Sequence, residues 1–270
     1  MRYVSMCSIV PVVLVVLVTC GLAHAQEGAA QEGPSGADPT DFITRYEPSF
    51  EHRNLKDGSS LDLLVIRADF SFRSDLSFRL DLPLVGFKPG PLEEAGFRPT
   101  FSIGDTVTQV IHKPYSSDRL SVIYGLRIDF DTATAPEVAA GGNVYAPLGA
   151  VAVKARPGLV FIPLVQWFLA SDLDNAPFEG TVDRNKVSYR QLVLWEVGHR
   201  HMAYLMIDPE FTVDIENDNE KTFQVGIEFG KPLAQGALLV IKPTIGFTDT
   251  GINWGFKFAF RHLFPRVFLL

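Results

Sequence analysis

The sequence is poor in cysteine. Its two, Cys7 and Cys20, both fall within the first 25 residues. That segment carries Arg2, the apolar run "IVPVVLVVLVTCGLA", and small residues Ala23 and Ala25 around His24. This is the pattern of a secretory signal peptide cleaved after Ala25. A transmembrane anchor would call for a cationic stop-transfer, which does not follow. A lipoprotein reading of "LVTCG" meets Thr19 where a smaller residue is preferred. A chain beginning at Gln26 has no thiol, which excludes disulfides and thiolate chemistry and leaves pairing and packing to hold the fold. An excess of positive charge is also missing: without Arg2 there are 23 Lys and Arg against 31 Asp and Glu, net −8. That argues against nucleic acid as a partner. Beyond the signal there is no helical periodicity, and no calcium-loop spacing among the acids. Neither an enzyme nor a cofactor is expected.

What is present is alternation with a period of two. In "LLVIRADFSF" the series Leu64, Ile66, Ala68, Phe70, Phe72 alternates with Val65, Arg67, Asp69, Ser71, Arg73. "LSFRLDL", "VIYGLRIDFD" and "FQVGIEFG" repeat it, the last setting Phe223, Val225, Ile227 and Phe229 against Gln224, Gly226, Glu228 and Gly230. About twelve such strands are predicted, at 42–51, 61–73, 75–85, 102–112, 119–131, 146–155, 158–170, 187–197, 201–215, 221–230, 236–247 and 252–262. Many are near the roughly 9–11 residues a tilted strand needs to cross a bilayer. Short connections, such as Ser74 and 156–157, alternate with long ones at 86–101, 132–145 and 171–186. A soluble sandwich has no reason to show that asymmetry, whereas a membrane barrel with tight turns on one side and loops on the other does. The reading is an all-β, closed antiparallel transmembrane barrel of about twelve strands. The signal occupies 1–25, a flexible lead-in 26–40, the barrel 41–265 and a C-terminal extension 266–270. In "WGFKFAFRHLF" the rings Trp254, Phe256, Phe258 and Phe260 face lipid on the closing strand, and Lys257 and Arg261 face the interior.

Three stretches carry a resemblance: "SIGDTVTQVIHKP" at 102–114, "DPEFTVDIENDNEKTFQVGIEFGKPL" at 208–233 and the terminal "NWGFKFAFRHLFP". Across about residues 42–265 the chain resembles a bacterial outer-membrane family grouped as "MetA-pathway of phenol degradation", some members of which bear the label "neuromedin U". The resemblance implies an outer-membrane barrel with a transport role and brings no catalytic or binding residues with it. "RVFLL" extends past the usual end at Phe264 and Pro265.

The candidates for function are the charges on the polar face: Arg67, Asp69, Arg73, Arg79, Asp81, Arg127, Asp129, Asp208, Glu210, Asp214, Glu228 and Lys257. They form either an electrostatic ladder that passes a polar solute or a set of pairs that neutralise each other and close the interior. Acids outside the strands, Glu93 and Glu94, then Asp172, Asp174, Glu179 and Asp183, then Glu216, Asp218 and Glu220, read as a solvated surface. "GHRH", with His199 and His201, reads as a plain turn without a third ligand. His112 with Ser116 or Ser117 is a weak hint of a lipid hydrolase. Trp167, Tyr189, Trp195 and Trp254 sit where headgroup-level rings are favoured. The expected function is passive passage of small molecules through the outer membrane. The alternative is a closed barrel whose outer loops bind a partner or surface lipid. Expected partners are outer-membrane lipid, lipopolysaccharide and an unspecified small solute.

Overall fold

A computed structural model describes residues 38–264 apart from 140, 172–184, 198–202, 217–218 and 235. The signal segment, most of the lead-in, the extension 266–270, the acids Asp172, Asp174, Glu179, Asp183 and Asp218, and the histidines His199 and His201 lie outside the described residues.

The strands are β1 (Arg45–Leu55), β2 (Ser60–Arg73), β3 (Leu76–Lys88), β4 (Thr100–Ile103), β5 (Thr106–Ser116), β6 (Leu120–Phe130), β7 (Asn143–Arg156), β8 (Leu159–Ser171), β9 (Asn185–Val197), β10 (Ala203–Asp214), β11 (Glu220–Ala234), β12 (Ala237–Gly246) and β13 (Ile252–Leu263). Sequence neighbours pair antiparallel, except that β4 and β5 both pair with β3. β1 also pairs with β13, which closes the sheet. Closure leaves no edge of unmet N–H and C=O groups, the condition for a strand structure in lipid.

Thirteen segments make twelve barrel strands because β4 and β5 share one place. β3 pairs with β5 from Leu76 to Asp81 and with β4 from Leu84 to Phe87. The interruption falls at Gly104 and Asp105 for a local reason. The Gly104 N–H donates to the Pro83 carbonyl at 3.0 Å, and a Cβ at Gly104 would stand 2.7 Å from Val85 Cγ2. The Asp105 Oδ1 then accepts the N–H groups of Thr132 and Ala133 at 3.0 and 2.9 Å. The kink thereby fastens the β6–β7 loop to the barrel rim.

Burial is inverted with respect to a water-soluble protein. Glu47 is wholly buried and Asp69, Asp208 and Arg261 nearly so, while Phe229, Phe247, Tyr124, Trp195 and Ile245 are about half exposed. Those apolar side chains cover the outside in a belt far too extensive for a water-facing surface. The interior is filled most densely at the end that carries the short turns. There Ile123, Ala152, Val160, Ile162, Leu194, Tyr204 and Leu238 form an apolar cluster inside the barrel. Two 3-10 turns, Gly90–Ala95 and Pro136–Val138, lie in the loops of the opposite end.

Candidate functional site

Alternation on β1 turns Arg45, Glu47, Glu51 and Arg53 to the same side, and closure sets that side against β2 and β13. Glu47 stands opposite Arg67, and Glu51 opposite Lys257. The Lys257 Nζ donates to Glu47 Oε1 at 2.6 Å and the Arg261 Nε to Oε2 at 2.6 Å, with Arg67 3.9 Å away. Arg261 also donates to the Tyr204 hydroxyl oxygen at 3.1 Å, and that hydroxyl donates to Glu228 at 2.6 Å. Tyr204 fits because Gly230 lies opposite it: a Cβ there would come within 1.9 Å of the ring. A buried charge is tolerable only when paired and hydrogen-bonded, and each member of this group is.

Four further carboxylates follow the same logic. Arg67 holds Asp81 through two bonds of 2.8 and 2.7 Å, while Arg79 and Arg45 both donate to Asp69. Asp208 accepts from Arg190 and, at 2.6 Å, from Lys242. Arg127 is held by Asp129 of its own strand at 2.6 and 2.8 Å.

Together these walls enclose a cavity of about 1070 Å³. Of the residues singled out from the sequence, Arg67, Arg79, Asp81, Arg127, Asp129, Asp208, Glu210, Glu228 and Lys257 line it. Asp69 is interior but sits behind Arg45 and Arg79, at a small side recess. Asp214 lies at the loop end of β10, within 4.0 Å of Lys186. Arg73 does not belong to the interior. The β2–β3 register shifts between Ser71 and Arg73, so the alternation ends there, and the guanidinium turns out to solvent and pairs with Asp75 at 2.9 Å.

Several interior charges are absent from the candidates drawn from the sequence, among them Arg45, Glu47, Glu51, Arg53, Lys186, Arg190 and Lys242. The period-two charges of "RYEPSFEHR" are a usable signal for the first four. Alternation also predicts a polar interior throughout, yet Leu148, Ile162, Leu164 and Leu192 of β7–β9 line the cavity too. On those strands both faces are largely apolar, so hydropathy does not tell inside from outside.

At the short-turn end, residues 38–44 cross the mouth. Asp38 accepts the Thr40 N–H and hydroxyl at 2.8 and 2.7 Å and lies 3.9 Å from Lys154. Lys113 donates to the Thr40 carbonyl at 2.9 Å and sits 4.9 Å over the Phe42 ring. Lys154 is on β7, halfway round the ring from β1, so the segment spans the opening. Pro39 and Thr40 line the cavity. Residues 38–40, assigned to a flexible lead-in from composition, are thus part of the folded interior.

His112 is not joined to either serine. Its Nδ1 meets the Tyr124 hydroxyl at 2.9 Å and its Nε2 lies 3.4 Å from Asp75, while Ser116 bonds Ser121. Trp167, Tyr189, Trp195 and Trp254 are all exposed on the barrel.

No protein-family model matches the chain, and no curated protein matches it by sequence. Solved structures do match. The chain is similar to the COG4313 outer membrane channel from Pseudomonas putida F1, with a TM-score of 0.70 at 10% identity, over 86% of this chain and 99% of that one. It is similar to the NanC porin (TM-score 0.55, 9% identity, 83% and 100% covered) and to the CymD monoaromatic hydrocarbon channel (0.52, 11%, 89% and 95%). The fold is that of the outer-membrane channel and porin barrels.

Proposed function

We propose that the chain is a passive outer-membrane channel for small molecules, exported by its N-terminal signal and closed into the outer membrane among lipid and lipopolysaccharide. One observation carries this reading. A continuous interior cavity is lined at the loop end by Phe97, Glu137 and Thr250 and at the other by Pro39 and Thr40, with charged and apolar walls between. A barrel whose interior were only structural would fill that length with side chains. The share of the chain matched by channel barrels, and the resemblance of the three sequence stretches to the phenol-degradation group, support the same reading. The structures it resembles are channels and porins, and among the described residues the one nucleophile-and-base combination suggested by the sequence, His112 with Ser116 or Ser117, is not joined.

The experiment is planar-bilayer conductance of the refolded mature protein. Discrete current steps are the expected result, and a barrel that inserts without any current would turn the reading to the closed alternative. Outer-membrane residence is checked by fractionation and by a gel mobility that changes on boiling.

A further inference from the structure

Gln166 on β8 is 7% exposed and lines the cavity. Its amide nitrogen is the one buried side-chain nitrogen among the described residues without a hydrogen-bond partner. Native interiors leave few buried donors unmet, because each forfeits its hydration without a replacement. Gln166 stands opposite Ser188 of β9 and Leu148 of β7. The next groups along the wall are already engaged. Ser188 donates its hydroxyl to Glu210 Oε1 at 2.8 Å, and Gln224 donates to Glu210 Oε2 at 2.8 Å. A polar belt therefore crosses β8–β11 and ends, at Gln166, on a donor with nothing to donate to.

Resting on the channel reading, we propose that Gln166 marks a solute-binding subsite for a small uncharged molecule with an acceptor oxygen on an apolar body. Rotation about the last side-chain torsion, which is broad in Gln, presents the N–H to the lumen. Leu148 and Leu164 beside it take the apolar part. The acceptor is uncharged because the nearby cations already have carboxylates: Arg190 gives two bonds to Asp208, Arg127 two to Asp129, and Lys186 lies 4.0 Å from Asp214. An anion would have to displace a carboxylate already in place, and it would meet Glu210 across the belt.

The test uses the refolded mature chain in detergent micelles and two probes, N-acetylleucinamide and N-acetylglycinamide, which share acceptor oxygens and differ in apolar body. A ligand that binds only the folded state raises the unfolding midpoint, more at a given concentration the tighter it binds. N-acetylleucinamide is expected to raise it more than the glycine compound. Gln166→Met, and independently Gln166→Leu, should bind N-acetylleucinamide roughly three- to tenfold more weakly, the loss of one neutral hydrogen bond. Without probe, both variants should unfold no earlier than the parent, since an unpartnered amide holds nothing. Equal binding by parent and both variants would overturn the subsite, and so would earlier unfolding of both without probe, which would reveal an internal partner. Equal effects of the two probes would overturn the apolar wall. A barrel that shows Gln166-dependent binding but passes no current loses the channel reading and keeps the subsite. A conducting barrel without such binding does the reverse.

Discussion

Among single residues, Glu47 is the carboxylate on which the interior charges converge. It is wholly buried, and Lys257 and Arg261 both end on it. Removing it leaves two cations in a poorly solvated space, so Glu47→Ala should lower stability by about 3–5 kcal/mol, read from the urea midpoint in lipid vesicles. Lys257→Met should then cost less in the Glu47→Ala background than in the parent, because the two share one interaction. Additive losses would show that the pair is not coupled. Gly230 is a second such point. Alanine there drives a methyl group into the Tyr204 ring and should cost roughly 1–3 kcal/mol as an overpacked site.

Among the strands, β13 shows how one segment serves two media. Trp254 and Phe256 stand outside, in contact with His52 and Phe50 of β1, and Lys257 and Arg261 stand inside. Lysine at Phe258, near the middle of the strand, should cost about 2–4 kcal/mol against lipid. Alternation alone makes lysine at Ala259 the cheaper change. The structure reverses that, because Ala259 has no exposed surface and is flanked on its own strand by Lys257 and Arg261. Ala259→Lys would bring both overpacking and like-charge repulsion, so comparing the two variants by the same unfolding measurement separates pattern from packing. The N-terminal segment is the other element with a consequence. Since residues 38–43 lie across the short-turn mouth, a chain lacking them should form a barrel of higher single-channel conductance. An unchanged conductance would mean that ions bypass the segment.

The barrel as a whole has an interior in which cations and carboxylates face one another in pairs, opposite an apolar wall. Fixed charge that cancels locally gives little ion selectivity, and added salt screens what remains over about 10 Å at 0.1 M. Arg79→Glu upsets the balance. It replaces a cation bonded to Asp69 and to Gln109 by a second carboxylate beside Asp69. In a KCl gradient the reversal potential should move toward that of the cation, most at low salt. A reversal potential that stays put would remove Arg79 from the ion path.

Fold class was legible in the chain before any coordinates, because period-two alternation with tight turns and long loops in turn has one stable answer in a bilayer. The same pattern placed the rings of 254–260 outside, and nine of the twelve interior candidates on the cavity wall, since facing is a local property of a strand. It did not reach what depends on register and closure. Glu47 gains its partners from β13, more than 200 residues away in the chain. Arg73 leaves the interior through a register shift that composition does not record. Residues 38–40 look unstructured by composition, yet they are held across the mouth because Lys113 and Lys154, brought round by the ring, reach them. Which groups meet inside a barrel is decided only when the first strand pairs with the last.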